Sequence, residues 1–334
     1  MRDERISLAH GGGGRLMAEL LAEYVLPTLG VGEAGEDAAV VEDGLVMTTD
    51  TFVVKPLVFP GGDIGKLAVC GTVNDLAMRG ALPVAMTVGL VLEEGLEVAV
   101  LDQVMRSLAA TAQDCGVRLV GGDTKVVEAG RGDGLYVNTA GVGRAVMAEE
   151  EMPSLRRVQP GDKILLNGPP GMHGVAVLAA REQLGFASEV VSDCAPLHEL
   201  AGTLVEELGP QVHCLHDPTR GGVAAALKEI AEASAVTVRV EEEAIPRDES
   251  VEAACELLGF DSLQVANEGK MVVVVSPEVA DAALEIMRAD KYGEGSSIIG
   301  EVTQAGEGRV ELRTQLGTIR NLEMPSGEIL PRIC

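Results

Sequence analysis

The sequence predicts an α/β (α+β) protein built from two domains, and three observations lead there. Its 334 residues exceed what one ordinary core absorbs. Strand-like apolar runs alternate with helical patterns along most of the chain. A charged stretch with two prolines, "EEEMPSLRRVQPGD", interrupts that alternation near the middle. We therefore expect an N-terminal domain over 1–152, a C-terminal α/β domain over 153–320 and a flexible tail over 321–334.

Taken in order, Gly11, Gly12, Gly13 and Gly14 precede an amphipathic pattern (Leu16, Leu20, Leu21, Tyr24, Val25) that stops near Pro27, a glycine-rich loop feeding a helix. "GLVMTTDTFVV" reads as a strand, and "GGDIGKLAVCGTVNDLAMRG" as a helix capped by Asp63 and closed by Gly80. "LPVAMTVGLVL" is a strand, 97–115 a helix, "VRLVGGDT" a strand entering a loop and "LYVNTAGVGRAV" a further strand. The second half opens on "KILLNGPPGMHGVAVLAARE", a strand, a Gly/Pro turn and a helix. "HDPTRGGVAAALKEIAEAS" is a loop and helix, "VTVRV" a strand and "NEGKMVVVVS" a loop and buried strand. "EVADAALEIMRA" is a helix, and "SSIIGEV" and "GRVELRT" are strands. Both halves carry an Asp-containing loop, a Gly-Gly pair and an Ala-rich helix, which hints at two related units.

Composition excludes several classes of function. Against 26 Lys and Arg stand 52 Asp and Glu, and a net charge of -26 repels a polyphosphate backbone. With three Tyr, four Phe and no Trp there is little to stack a base upon, so nucleic acid is not an expected partner. The six cysteines show no metal-type spacing, and five lie in apolar or helical surroundings that suit core thiols in a reducing compartment. The first residues carry no apolar signal region and no run reaches membrane-spanning length, so we expect a soluble, cytoplasmic protein.

The chemistry-bearing residues fall into short motifs. Backbone N–H groups of Gly11–Gly14 before a helix suit a phosphate cradle. Asp37, Asp50, Asp75 and Asp123 each stand at a loop or strand end or, for Asp75 beside Asn74, inside an apolar helix where a charge demands a partner. Hard oxygen ligands of this kind suit Mg²⁺ on nucleotide phosphates. Lys125 follows Asp123 and Thr124 and is placed to neutralise phosphate charge, while Glu268 precedes an apolar strand, where desolvation would raise its pKa and suit it to a general base. His216 and Asp217 in "LHDPTRGG" admit a site role or a plain turn before a helix. The final "PRIC" puts Cys334 on a terminus with one covalent neighbour, a mobile thiol able to enter another pocket.

In this order and spacing, "EDAAVV", "TTDTF", "NDLAMRGA" and "GGDT" resemble the aminoimidazole ribonucleotide synthetase superfamily. Within it, "AHGGGGRLM", "LHDPTRGG", "NEGK" and the terminal "PRIC" resemble the HypE family of hydrogenase maturation factors, from about residue 6 to the last. The resemblance implies an ATP-dependent carbamoyl dehydratase: HypF places a carboxamide on Cys334, the protein dehydrates it to a thiocyanate, and the cyanide passes to iron in the HypC-HypD complex. It implies ATP bound by Gly11–Gly14, Asp37, Asp50, Thr51, Asn74, Asp75, Asp123 and Thr124, with Mg²⁺ on the four aspartates. Lys125 would polarise the carboxamide or phosphate oxygen and Glu268 would take the nitrogen proton. Pro331 would keep the tail extended so that Cys334 can swing between a partner and its own cleft. The same likeness implies a homodimer paired through the N-terminal halves, with the ATP cleft near that interface. A small-molecule phosphotransferase of the superfamily, or a nucleotide-regulated assembly scaffold, would share the aspartates without needing a terminal thiol.

Overall fold

The computed structural model describes all residues except 1–4, 31–34, 43, 183–188, 326–329 and 331. The glycine-rich loop leads into α1 (Arg15–Leu20), a wide π-helical turn over Leu21–Val25 and α2 (Leu26–Leu29). Pro27 does not stop this helix: the Leu26 N–H already bonds one residue further back than an α-helix requires, and the rod ends at Gly30 in the left-handed conformation.

Next come β1 (Ala39–Glu42), β2 (Leu45–Phe52), a small hairpin of β3 (Val58–Phe59) and β4 (Gly62–Asp63), then α3 (Ile64–Met78), β5 (Ala81–Glu93), α4 (Val98–Asp114), β6 (Arg118–Val127) and β7 (Leu135–Ala145). The main sheet runs β1-β2-β7-β5-β6, and β5–β6 is its one parallel neighbouring pair. Helices do join parallel strands here, as the alternation implies, but β7 follows β6 without a helix and inserts antiparallel between β2 and β5. The expected loop at "GGDTKVV" is instead strand, because β5 offers hydrogen-bond partners as far as Glu93 opposite Val127.

The second half comprises β8 (Lys163–Leu166), α5 (Met172–Glu182), α6 (His198–Leu208), β9 (Val212–His216), α7 (Gly222–Ala233), β10 (Val236–Glu241), α8 (Glu249–Leu258), β11 (Val272–Val275), α9 (Ala280–Ala289), β12 (Ser297–Ala305), β13 (Arg309–Arg313) and β14 (Ile319–Asn321). Of these, α6, β9, α8 and β14 were not anticipated. The sheet order is β14-β13-β10-β12-β8-β11-β9. Its middle strands are apolar on both sides because both sides are covered: Ile164, Leu166, Val272 and Val274 pack against α7, and Leu165, Val273 and Val275 against α6 and α9. Among the described residues no helix is long and apolar enough to cross a membrane.

Two features of this frame position the site. The first is α3, whose N-terminus is capped by Asp63 accepting from the N–H groups of Gly65 and Lys66 and whose end is closed by left-handed Gly80, both as expected. It is buried nearly all round, against its own sheet and, through Ala77 and Met78, against α6. The second is the tail. The described residues of 321–334 are packed rather than loose: the Leu322 N–H bonds the Val310 carbonyl, the Pro325 carbonyl accepts from Arg15, and Ile333 and Cys334 are buried with Phe52, Phe59 and Ile64. The expectation of a free, mobile Cys334 is therefore corrected, since the tail's own apolar and carbonyl groups find partners in the chain; Pro331 lies outside the described residues.

Asn74 stitches the halves together. Its side chain accepts from the Leu197 N–H at 2.7 Å and donates to the Ala195 carbonyl at 3.1 Å. Asn74→Ala strands two buried backbone groups and is expected to lower unfolding free energy by about 2–3 kcal/mol in urea melts; an unchanged midpoint would show that the halves do not depend on this contact.

Candidate active site

The last residue lies between the two halves, 8% exposed, and beside it is Glu268, 3% exposed. Glu268 is placed by its backbone. The Asn267 side chain accepts from the Gly171 N–H at 2.7 Å and donates to the Pro218 carbonyl at 2.8 Å, tying this loop to the turn that precedes α7. The Glu268 N–H donates to Asp193, which in turn pairs with buried Lys270 at 3.2 Å. Among the described residues one Glu268 carboxylate oxygen, Oε1, has no hydrogen-bond partner. Burial first, then the neighbouring Cys194 and Asp217, push the Glu268 carboxyl well above the usual range. Burial likewise raises the Cys334 thiol well above its ordinary value, reinforced by Glu268 and opposed by the nearby Arg220 guanidinium.

Arg220 links this thiol to a cluster of carboxylates, for Asp50, Glu268 and Asp75 all act on it as well as Cys334. Asp50 at the end of β2 accepts from the Thr51 N–H at 2.7 Å, and Asp75 on α3 accepts from the Thr48 hydroxyl at 2.8 Å. Burial raises Asp75 well above the carboxylate range, helped by Asp217, Asp50 and Asp37. Asp217 is pushed up to about 8, again by burial and then by Asp37. His216 gives Nδ1 to Asp37 and Nε2 to Glu229, each at 2.8 Å. Burial alone lowers the imidazole pKa, but those two carboxylates outweigh it and hold the ring as the cation.

Asp37, His216, Asp217 and Arg220 border a cavity of about 1160 Å³ that Gly13 and Gly14 also line. Gly13 has φ +70°, and a Cβ there would stand 2.3 Å from the Arg220 Cβ, so only glycine permits this approach of the first loop to the second. Gly12 faces a small adjoining pocket beside Arg220 and Ile333, and Gly11 is exposed. Ligand atoms of Asp37, His216 and Asp217 all lie within 4.8 Å of one another. Clustered oxygen donors whose ionisation burial opposes fit a hard dication such as Mg²⁺, which would favour their charged forms.

The expected residues thus divide. Asp37, Asp50, Asp75, Glu268 and Cys334 are brought together with Gly13 and Gly14. Asn74 is spent on the contact between halves. Thr51 lies on the sheet face opposite Asp50, its hydroxyl bonded by Asn138. Asp123, Thr124 and Lys125 lie on the exposed edge strand β6, where Lys125 bonds Asp123 and their side chains are 66% and 74% exposed. Asp123 aligns with Gly89, Asn138 and Thr51 across three strand pairings, so it stands about 14 Å from β2, on the face away from Asp50. Sequence reasoning left His216 and Asp217 undecided and did not single out Arg220 or Glu229; a His-Asp pair closing a strand just before Pro and Gly-Gly was the signal available.

Residues 35–145 match the AIR synthase related protein N-terminal domain, and residues 159–313 match the corresponding C-terminal domain. The carbamoyl dehydratase HypE of Rhodobacter capsulatus is 45% identical over 341 residues, spanning 100% of this chain and 99% of the relative. The chain belongs to the AIR synthase related family, in its HypE branch. Among solved structures, HypE in complex with ATP aligns with a TM-score of 0.84 at 42% identity, covering 99% of this chain and 100% of that one. A HypE-HypF complex aligns with a TM-score of 0.86 at 45% identity, covering 93% and 100%. The family resemblance read from the motifs, the two-domain fold and the enzyme class carried by these relatives agree.

The acidic cluster has a measurable consequence in the metal-free protein. With Asp217 pushed up to about 8, the folded state keeps a proton that the unfolded chain has released above about pH 4, so stability falls as pH rises between those values. Urea melts in chelator should show this fall, at up to about 1.4 kcal/mol per pH unit for each such group, and Mg²⁺ should flatten it. A profile that rises with pH in chelator contradicts the buried cluster.

Proposed function

We propose that this chain uses ATP to dehydrate a carboxamide carried on its own Cys334, giving a thiocyanate whose cyanide serves [NiFe]-hydrogenase assembly. The observation that carries the reading is the terminal thiol seated against buried Glu268, with Arg220 joining that pair to the acidic cluster at a cavity large enough for a nucleotide. A carboxamide oxygen leaves poorly, so it is activated first. It attacks the γ-phosphorus of ATP, the bond to ADP breaks, and the oxygen becomes phosphorylated. The nitrogen then loses its two protons, one to the Glu268 carboxylate and the other to the departing phosphate, the C–O bond breaks, phosphate leaves with the oxygen, and a C≡N group stays on sulfur. Carboxamide and ATP give thiocyanate, ADP and phosphate, with no other reactant.

Each group has a part. A carboxyl with raised proton affinity is, once ionised, a stronger base than an ordinary glutamate. Arg220 stands beside both sulfur and carboxylates, where it answers charge that moves from ATP to the leaving phosphate. Gly13 and Gly14 offer backbone N–H groups at the start of α1. Mg²⁺ held by Asp37, Asp50, Asp75 and Asp217 would offset the phosphate charge. A thiol raised by burial is a poor nucleophile, so loading by HypF requires the tail to leave the cleft, and delivery to the HypC-HypD complex requires it again.

The exposed sheet face supports a homodimer. The face of β2 turned away from α3 exposes Leu45 and Met47, and edge strand β6 exposes Leu119, Val120 and Val126. An apolar, unpaired edge of this length calls for a partner, and a second copy bringing its Asp123, Thr124 and Lys125 to the cleft gives those residues the roles that one chain denies them.

Intact mass spectrometry of the protein with HypF, carbamoyl phosphate and ATP should show a carboxamide adduct that loses one water, and deletion of Cys334 alone should abolish the adduct while ATP binding persists. An adduct retained through many ATP turnovers would falsify the dehydratase reading. Glu268→Gln and Lys125→Ala should each lower dehydration at least about a hundredfold, the usual worth of a proton-transfer or electrostatic group. Mixed together they should recover about a quarter of wild-type activity, since half the dimers then hold one intact composite site; no recovery means that Lys125 does not act across the dimer.

A further inference from the structure

The residues that hold the tail address its backbone and Arg332 rather than its sulfur. His173, in the first turn of α5 and fully buried, places Nε2 2.7 Å from the Ile333 carbonyl and Nδ1 2.8 Å from the Ser192 hydroxyl. A carbonyl only accepts, so Nε2 carries the hydrogen and Nδ1 accepts from Ser192. Ser192 is itself fixed, its oxygen accepting from the Cys194 N–H and its own N–H bonding the Pro60 carbonyl. The edge of the ring meets Phe59, with centroids 5.3 Å apart. One residue earlier, the Arg332 carbonyl accepts from the Lys55 N–H at 3.1 Å and from Arg181 at 2.7 Å, while the Arg332 guanidinium donates to Asp133 at 2.7 Å. Arg332 has φ +55°, a left-handed turn that is uncommon for a side chain of this size.

We propose that His173, Arg181 and Asp133 form a clasp that seats the tail for dehydration, with His173 as its positioning residue. The inference rests on the carrier role given to Cys334 above. Because the clasp reads the last two peptide carbonyls and Arg332, it holds the tail alike whether the sulfur bears a thiol, a carboxamide or a thiocyanate. It acts on where the sulfur waits and leaves what happens at the sulfur to Glu268 and ATP. Burial lowers the His173 pKa, consistent with the neutral ring that this hydrogen-bond pattern needs.

The test is alkylation of the full-length protein by N-ethylmaleimide without ATP or HypF, reading Cys334 and the five interior thiols separately by peptide mass spectrometry. His173→Ala should label Cys334 about fivefold faster, the factor one lost buried hydrogen bond brings, with the interior thiols unchanged. His173→Gln, which keeps an N–H within reach, should restore most of the protection, and Asp133→Asn should weaken it on its own. In the coupled reaction His173→Ala should gain the carboxamide faster than wild type, by up to the same factor, because loading draws on the same open tail. Equal Cys334 labelling in wild type and His173→Ala overturns the clasp. If His173→Ala exposes all thiols together, Asp133→Asn decides, and unchanged Cys334 labelling in that variant overturns it as well. Labelling as expected in a protein that never dehydrates a carboxamide would leave the clasp standing and remove the functional reading alone.

Discussion

A helix buried nearly all round cannot carry a carboxylate on its inner face unless something answers the charge, and α3 carries Asp75 there. One neutral hydrogen bond from Thr48 is all the described side chains supply directly. Around it the chain adds further acidic groups, Asp37, Asp50 and Asp217, and the cations beside them among the described residues are already shared: His216 by Asp37 and Glu229, and Arg220 by Cys334, Asp50 and Glu268. Such an arrangement costs stability in the metal-free protein, a cost that the proposed Mg²⁺ and nucleotide phosphates would offset.

The halves of the molecule contribute unlike things to this cleft. The first supplies acids from β2 and α3 and the glycine loop; the second supplies His216, Asp217, Arg220 and Glu268 from the ends of β9 and the loop before β11. Gly13 lies so close to Arg220 that the two loops form one wall. The site therefore exists only when both halves are packed.

How much of this was legible depended on whether a signal was local. The cap at Asp63, the stop at Gly80 and the both-faces-buried strand "MVVVV" are written in neighbouring residues, and they stand where expected. Asp75 could be singled out in the same way, because a charge in an apolar helix is visible without any fold. His216 was not resolvable in the same way, since its partner Asp37 is 179 positions away and nothing in "LHDPTRGG" announces it. Lys125 and Asp123 read as a loop because glycines precede them, whereas the hydrogen bonds of β5 draw them into a strand and turn them away from the acids. The tail misled for a related reason: proline and a free terminus suggest mobility, but the carbonyls of Arg332 and Ile333 meet donors supplied by Lys55, Arg181 and His173, residues remote in sequence.

The buried thiol poses the final constraint. A sulfur that must be carbamoylated needs to be an accessible thiolate, while an amide that is to be dehydrated needs water kept out, because a phosphorylated amide oxygen is as open to hydrolysis as to elimination. No single environment satisfies both. On the proposed function the cleft serves the second need: burial raises the Cys334 thiol, Phe52 and Ile64 enclose it, and beside it stands a carboxyl whose proton affinity burial has raised. On that same proposal the first need has to be met elsewhere, with the tail carrying Cys334 out of the cleft.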